Sequence, residues 1–526
     1  MEAEHTDHPR VDPAKRRSQF LSNVAWNWAH VGINLFAGLI LSPYIIRKLG
    51  VEGYGVWALV FSVVGYYGLL DLGFRSAVIR FTAHYAALQQ DDRINQLIST
   101  LLTYFAGLAV LMLGVTVLLA SHAHRFFKVS AAYRDEMGVL ILIVGASLSF
   151  GLIFNVFSGF IEGLQRFDLA SQVRIVSLGV RTLGAAVLLA LGFGLIALGM
   201  VALVSQALLY VQYTLIAKRA YPRLRYSTGL VNRAVIREVA RYGVHTFVAG
   251  LANQSLEQTP SLVIGNARPV EFVTYYTVPF RLLLFVADAL TRVGLVAAPK
   301  AAELAGKGEA GSVGQLAAYS NRYCFALFVP FGIWLLLFGQ NFLVLWVGPK
   351  VAAASGLLLP SLMVAIGFAM AGQFNSSAIL FGLSRHQFYA YGLLVEAVAS
   401  AVGMFLVVPS FGVLGAAVVT AVLMVAVRGL YTPWLMCHYL RISYPSYLLG
   451  IYLRPAATAL PVYGLGMWLK ANVLAGAGWV EVTAGGILLS LTYLALALYT
   501  SVEREHRELL WNWLFRHWKA GRMRET

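Results

Sequence analysis

Apolar stretches of about 20 residues recur along the whole chain and are separated by short polar segments. A helix of that length crosses a hydrocarbon core of roughly 30 Å, and the alternation of apolar and polar residues that marks a membrane β-barrel is absent from the sequence. Charged residues make up only 12% of the chain, compared with roughly 25% in a soluble domain. The sequence therefore predicts an all-α integral membrane protein, because lipid accommodates only helices and closed barrels.

Fourteen of these stretches are predicted to span the membrane, so both termini lie on one side. Of the 40 Lys and Arg residues, 26 fall in segments on that side and 8 in the opposite segments. The positive-inside rule then places the termini in the cytoplasm and explains the net charge of +16 without nucleic-acid binding. The predicted spans are residues 20–46, 55–79, 98–120, 136–161, 175–193, 197–217, 240–264, 272–298, 321–346, 355–381, 388–408, 414–437, 449–470 and 479–500.

A basic connection at 218–241 divides six spans from eight and suggests the domain organisation. The tail carries Leu510, Trp511, Leu514, Phe515 and Trp518 near one face of a helix, as expected for an amphipathic helix on the inner membrane surface; a frayed tail is the alternative. The predicted parts are a cytoplasmic tail (1–19), an N-terminal bundle of six spans (20–217), a cytoplasmic linker (218–239), a C-terminal bundle of six spans (240–437), two further spans (438–500) and a cytoplasmic amphipathic tail (501–526).

The two bundles begin with similar sequences, at 45–86 and 263–305. Each runs from a short outside turn with an acidic residue, through an apolar span, to an Asp–Arg pair near its inner end. Internal duplication is common in secondary transporters, and chance similarity of two membrane helices is the alternative. The matching residues are Glu52, Asp71 and Arg75 in the first copy and Glu271, Asp288 and Arg292 in the second.

Several spans carry polar residues that are costly in lipid and therefore face protein or a wet cavity. In the first span Asn23, Asn27, His30 and Asn34 are spaced 4, 3 and 4 apart and share one helix face. Asn253 and Glu257 share a face of the seventh span. These side chains either join helices through hydrogen bonds or line a cavity, and His30 fits packing better than proton transfer.

Charged residues in the spans allow a similar choice. Asp71 with Arg75, and Asp288 with Arg292, are spaced i,i+4 and can simply neutralise each other. Arg281 and Arg181 have no acidic partner on their own helix face, so an anion in a cavity is an expected partner. Glu257 could instead pair with Arg281 across helices.

No enzymatic motif is present in the sequence. HExxH, GxSxG, P-loop and CxxC patterns are all absent, and Cys324 and Cys437 lie in or beside apolar spans rather than in a disulfide or metal pattern. Without a nucleotide-binding fold, the chain cannot itself be an ATP-driven pump. We therefore predict a transporter without a cofactor, driven by a gradient, with Na⁺ or H⁺ coupling through Glu257 or Asp288 as one option.

Three segments resemble polysaccharide flippases of the Wzx type. The first contains a turn with Leu49, Gly50, Tyr54 and Gly55, followed by the run LLDLGF at 69–74 and an arginine. The others are IEGLQRFDLA after the fourth span and FGLSRHQF after the tenth. These flippases belong to the MOP superfamily, together with the lipid II flippase MurJ and the MATE multidrug antiporters.

The resemblance implies two pseudo-symmetric six-helix bundles of the MATE/MurJ type around a central cavity, plus two C-terminal helices that could guide a lipid tail. It implies a bacterial inner-membrane flippase that moves oligosaccharide units on undecaprenyl pyrophosphate to the periplasmic leaflet, for O-antigen, capsule or exopolysaccharide. A polymerase and a chain-length regulator are expected partners. The implied roles are pyrophosphate binding by Arg281, Arg292, Arg75 and Arg181, sugar contacts by Asn27, His30, Asn34 and Asn253, and ion coupling or pairing by Glu257, Asp288 and Asp71.

Two alternative functions have weaker support. A MATE-like exporter of another substrate is disfavoured because the first span has no acidic residue, whereas many MATE antiporters carry one there. A membrane glycan polymerase, ligase or acyltransferase would need a sizeable outside loop with acid and base residues. The longest outside loop predicted here is roughly 121–135.

Overall fold

The computed structural model describes residues 13–71, 74–294, 297–383, 385, 387–474 and 478–512. These residues are helical almost throughout and contain no strand. Short 3₁₀ helices at Tyr66–Asp71 and Thr228–Leu230 and a π-helical segment at Val425–Tyr431 interrupt the regular helices. The α-helices are α1 (Pro13–Gly65), α2 (Phe74–Ala87), α3 (Asp91–Phe126), α4 (Ala131–Gly163), α5 (Phe167–Ala190), α6 (Leu195–Ala220), α7 (Arg233–Ala267), α8 (Glu271–Gly294), α9 (Ala297–Gly306), α10 (Ala310–Val347), α11 (Pro349–Ala354), α12 (Leu358–Gly372), α13 (Phe374–Gly382), α14 (Gln387–Met424), α15 (Thr432–Leu440), α16 (Tyr444–Asn472) and α17 (Trp479–Thr500).

Nine helical segments in the described part are long and apolar enough to cross a membrane. Two of them, Trp28–Leu69 and Gln387–Leu440, have 42 and 54 residues. At 1.5 Å per residue each is far longer than one crossing needs. Each contains a break at a glycine with positive φ, Gly50 at 73° and Gly412 at 59°, where each was predicted to hold two spans. The count of fourteen spans stays a prediction, since α7, α8 and α16 are not among the nine.

The chain forms two compact units. Unit 1 contains Met1–Lys48, Val64–His124 and Ala131–Phe247, and unit 2 contains Leu49–Val63, Arg125–Ser130 and Val248–Thr526. Two short stretches that precede the linker in sequence therefore pack with the C-terminal half.

Unit 1 is built around α4 and α6. Helix α6 packs against both α4 and α5, and α2 packs against α4. Phe74, Phe105 and Phe160 are among the largest side chains buried there. The rings of Phe74 in α2 and Phe105 in α3 contact each other at 5.5 Å, so the bundle has a packed interior.

Unit 2 is built around α10, which packs against α12, α16 and α17. Its residues Val329, Ile333, Leu337 and Phe338 form one buried cluster with residues of α16 and α17. The two helices after the second predicted bundle are thus fixed to that bundle through α10.

Large apolar side chains cover the outer surface as well as the core. Leu406, Phe411 and Leu460 are each at least 70% exposed. A water-soluble protein rarely exposes continuous apolar surface of this kind, whereas lipid solvates it. The surface therefore agrees with the predicted membrane location.

Candidate functional site

A charged pair lies in the interior of unit 2. Nε of Arg428, in the π-helical segment, donates to both carboxylate oxygens of Glu396 in α14, at 2.9 and 3.0 Å. The Glu396 side chain is 2% exposed and the Arg428 side chain 14%. Separating the two charges would leave each of them buried and unpaired, which is costly. The pair therefore holds the π-helical segment against α14.

A small cavity adjoins this pair and is surrounded by α7, α8, α14 and the π-helical segment. It has about 40 Å³ for the centres of water-sized molecules. Because one water needs at least about 10–15 Å³ on this measure, the cavity holds a few waters or a small ion but not a sugar. Its lining residues are Asn253, Leu256, Glu257, Phe280, Leu284, Glu396, Ser400, Thr420, Met424 and Arg428.

The helices beside the charged pair are irregular. The π-helical segment that carries Arg428 packs against α12, which ends at Gly372 within the predicted tenth span. The next residue, Gln373, separates α12 from α13, and its amide donates to the hydroxyl of Tyr389 at 2.6 Å. Interrupted helices and π segments inside membranes are frequent at binding sites, because they leave backbone groups free to face a ligand or a cavity.

Three residues predicted from the sequence come together in unit 2. Glu257 of α7 lies within electrostatic range of Arg281 and Asp288 of α8, and also of Arg428. Arg281 and Asp288 are both exposed. Arg281 forms no salt bridge with a carboxylate in the described part of the chain, and Glu257 is an acidic residue whose charge acts on it.

Unit 1 holds a second charged group. Glu162, at the C-terminal end of α4, accepts from Nη2 of Arg75 at 2.6 Å and from Nη1 of Arg174 at 2.9 Å. The Glu162 side chain is 7% exposed, whereas 38% of the Arg75 side chain is exposed. Two guanidiniums share one carboxylate, and the group keeps one positive charge. Arg181, also in unit 1, is exposed and has an interaction partner.

The remaining predicted residues are only partly described. Asn34 is exposed on α1, and His30 is half-buried and has an interaction partner. The side chains of Asn27, Asp71 and Arg292 lie outside the described part. Their predicted roles stay predictions.

The two copies of the predicted repeat meet inside unit 2, at a contact that we name the repeat junction (Val51, Gly55, Val270 and Thr274). The hydroxyl of Thr274 donates to the carbonyl of Val51 at 2.7 Å. A Cβ on Gly55 would lie 2.4 Å from the carbonyl oxygen of Val270, so only glycine permits this approach. In the repeat, Val51 corresponds to Val270 and Gly55 to Thr274, so the contact has the reciprocity of a two-fold axis.

The acidic residues next to the repeat junction also have corresponding contacts. Glu52 accepts from the backbone N–H of Ser130 at 3.2 Å, and Glu271 binds Nζ of Lys350 at 3.0 Å. Each acidic residue thus contacts a short connection later in its own half: Ser130 directly before α4, and Lys350 in the short helix α11. The arrangement agrees with duplication of a structural unit.

Glu396 and Glu162 were not singled out in the sequence, although a signal for Glu396 existed. Glu396 is the one acidic residue in the apolar run from 387 to 424, and Arg428 follows in another apolar run. Because a lone charge is costly in lipid, Glu396 and Arg428 could each have been identified as candidate site residues. Sequence periodicity could not pair them, because it does not say which faces of different helices meet.

The sequence profile of the polysaccharide biosynthesis protein family matches residues 20–302, which is more than half of the chain. The chain belongs to the polysaccharide biosynthesis protein family. Its relatives and structural neighbours are transporters and flippases rather than enzymes. It is 20% identical over 406 residues to a Shigella flexneri protein provisionally assigned as an O-antigen transporter, a match that covers 76% of this chain and 93% of that relative.

Solved structures establish the fold of this family member. The lipid II flippase MurJ, in an inward closed conformation, superposes with a TM-score of 0.70 at 11% identity, covering 90% of this chain and 98% of MurJ. A MATE multidrug transporter of the MOP superfamily, in an inward-facing conformation, gives 0.63 at 13% identity, covering 80% and 95%. The predicted MATE/MurJ-like all-α membrane fold is confirmed.

Proposed function

We propose that the protein is a flippase that moves undecaprenyl-pyrophosphate-linked oligosaccharide units from the cytoplasmic to the periplasmic leaflet by alternating access. The pathway would be O-antigen, capsule or exopolysaccharide assembly in a bacterial inner membrane, with both termini in the cytoplasm. Membership of the polysaccharide biosynthesis family supports this proposal. The observation that carries it is Arg281, an exposed guanidinium on α8, within the predicted eighth span, that forms no salt bridge to a described carboxylate.

A pyrophosphate suits such a residue. Guanidinium is planar and donates two parallel hydrogen bonds to phosphate oxygens, and an exposed cation in a membrane span needs an anion nearby. Arg75 and Arg181 of unit 1 and Arg292 of α8 are the other proposed phosphate ligands. We assign the sugar contacts to Asn27, His30, Asn34 and Asn253; Asn253 also lines the small cavity, but it is itself exposed.

The polyprenyl chain needs an apolar path of its own. An open groove of about 560 Å³ runs along α10 and α17 and is lined by side chains such as Phe331, Trp334, Trp479 and Leu491. Most of its surface is apolar, as an isoprenoid requires. The groove supports the assignment of the last helix, α17, to the lipid tail, whereas no described residue of α16 lines it.

We further propose that the small cavity beside Glu396 and Arg428 couples transport to H⁺ or Na⁺. It contains two carboxylates, Glu257 and Glu396, but one guanidinium, so a cation would balance its charge. Its volume suits an ion with a few waters. Imposing a pH or Na⁺ gradient on proteoliposomes containing the protein or Glu257→Gln tests this assignment. A transport rate that responds to neither gradient contradicts it.

The experiment that tests the flippase proposal is export of surface glycan in cells that depend on this protein. Arg281→Ala should lower export about tenfold or more at unchanged expression, because a charge-assisted hydrogen bond contributes about 1.5–3 kcal/mol. Arg281→Lys should restore part of the activity, since lysine keeps the charge but loses the bidentate geometry. Arg134→Ala, which removes an exposed arginine at the predicted outer end of α4, is the matched control. Normal export by Arg281→Ala would remove Arg281 from the site.

A further inference from the structure

The linker after α6 is held in a defined shape along α3. The side-chain oxygen of Asn95 accepts from the backbone N–H of Arg225 at 2.8 Å, and its amide donates to the carbonyl of Arg223 at 3.4 Å. The Asn95 side chain therefore provides the hydrogen bonds that the backbone N–H of Arg225 and the carbonyl of Arg223 would otherwise form within a strand or helix.

Two further hydrogen bonds continue this attachment up α3. The backbone N–H of Ser227 donates to the hydroxyl of Ser99 at 3.1 Å, and that of Asn232 donates to Thr100 at 3.0 Å. Residues 221–232 thus follow α3 for more than one helical turn.

Aromatic contacts attach the same segment to α4. The ring of Tyr221 meets Phe160 edge-on at 5.8 Å, and the ring of Tyr226 meets Phe157 at 6.1 Å. The linker is therefore fixed to two helices of unit 1, and the directions of its side chains are set by the fold.

This fixed segment and its ends carry basic side chains that are exposed on the protein surface. Six basic residues and one acidic residue, Glu238, occur between 218 and 238. Arg223 binds Asp91 at 3.1 Å, yet 78% of its side chain is exposed. In the part of the chain that the structure describes, no carboxylate pairs with Arg219, Arg225 or Arg233. All six cations are exposed, and they are Lys218, Arg219, Arg223, Arg225, Arg233 and Arg237.

The depth of the segment points to a ligand. Ser99 and Thr100 stand at the start of the predicted third span (98–120), so the predicted topology places residues 227–232 near the lipid headgroups. Tyr226 and Val231 are 41% and 37% exposed beside the cations. Amphipathic and small apolar side chains among cations are typical of the membrane interface.

We propose that the linker is a binding surface for anionic phospholipid headgroups of the inner leaflet, shaped by its attachment to α3. Lysine and arginine clusters immediately beside a membrane helix attract anionic lipid, and each charge near the surface contributes about fivefold in affinity. Basic residues on this side also orient the chain in the membrane, but that role does not need a fixed backbone. The attachment through Asn95 therefore distinguishes a lipid-binding surface from a topology signal alone.

The test uses the full-length protein in dodecyl maltoside, titrated with phosphatidylglycerol in the presence of phosphatidylcholine, with retained lipid counted by native mass spectrometry. The triple variant Arg219→Gln, Arg225→Gln and Arg233→Gln should bind phosphatidylglycerol on the order of a hundredfold more weakly. Asn95→Ala removes no charge and should also lower retention, because it releases the backbone that aims the arginines.

The control removes three exposed cations elsewhere on the predicted cytoplasmic side, with Lys300→Gln, Lys307→Gln and Arg385→Gln; the two lysines pair with Glu303, whereas Arg385 is in no described salt bridge. It should retain phosphatidylglycerol as the unaltered protein does. Unchanged retention by the linker variant, or equal loss by the control, overturns the proposal. Preference for an added acidic peptide over phosphatidylglycerol would assign the surface to a protein partner and overturn it as well.

Discussion

Removing one member of the Glu396–Arg428 pair should be far more damaging than removing both. In Arg428→Met the Glu396 carboxylate, whose side chain is 2% exposed, loses its counter-charge. Breaking a buried pair in this way costs about 3–5 kcal/mol, because the remaining charge is neither solvated nor paired. The double variant Glu396→Gln and Arg428→Met leaves no charge behind and should recover most of that loss.

The assay is the thermal midpoint of the purified protein in detergent. A loss of about 3–5 kcal/mol corresponds to a fall on the order of 10 °C. The matched control is the surface pair Arg504–Glu508, which has the same 2.9 Å separation but side chains that are 83% and 59% exposed. Arg504→Met should cost no more than about 1 kcal/mol. Equal effects of Arg428→Met and Arg504→Met, or additive effects in the double variant, would refute the reasoning.

Two other predictions concern the repeat junction and the linker. Gly55→Ala places a Cβ against the Val270 carbonyl and should cost about 1–3 kcal/mol, whereas Gly107→Ala in α3 meets nothing within 4 Å and should gain up to about 1 kcal/mol; thermal midpoints that shift in the same direction would contradict this. The hydroxyl of Tyr221 holds the pKa of Asp91 below its usual range, so this attachment is complete above about pH 4 and is lost as the pH falls through the lowered pKa. Asp91→Asn at neutral pH should therefore speed hydrogen exchange of the linker amides, and unchanged exchange would argue against the attachment.

The helical architecture could be predicted because lipid, as the solvent of this chain, requires apolar helices of membrane length. Apolar runs of membrane length determine where helices form, and every predicted span falls largely on helix. The turn at Gly50 also follows from sequence, since glycine tolerates the positive φ found there. These features depend on local sequence, so one chain suffices to derive them.

The candidate site could be predicted only in part. Helical periodicity placed Glu257 on one face of α7 and Arg281 on one face of α8, and the structure brings their charges within range. Helical periodicity could not identify the partner of Arg75, which binds Glu162, a residue 87 positions away in the sequence. Contacts between helices depend on how bundles pack, and periodicity within one helix carries no such information.

The reciprocal contact at the repeat junction was likewise beyond sequence reasoning. The similarity of 45–86 and 263–305 predicts equivalent elements but not that they touch. The close approach at Gly55 depends on the backbone of Val270, which no pattern of side chains specifies. A glycine conserved between the copies would have been a signal, but the corresponding residue is Thr274.

The central claim is that guanidiniums within the membrane carry a pyrophosphate-linked glycan across it. Purified protein in liposomes, given undecaprenyl pyrophosphate that bears a fluorescent oligosaccharide, tests this through accessibility of the label to an impermeant quencher. The claim predicts rapid exchange of the label between leaflets with the unaltered protein and with Gly107→Ala, and exchange at the protein-free rate with Arg281→Ala. Exchange that is equally fast with Arg281→Ala, or absent with the folded unaltered protein, would contradict it.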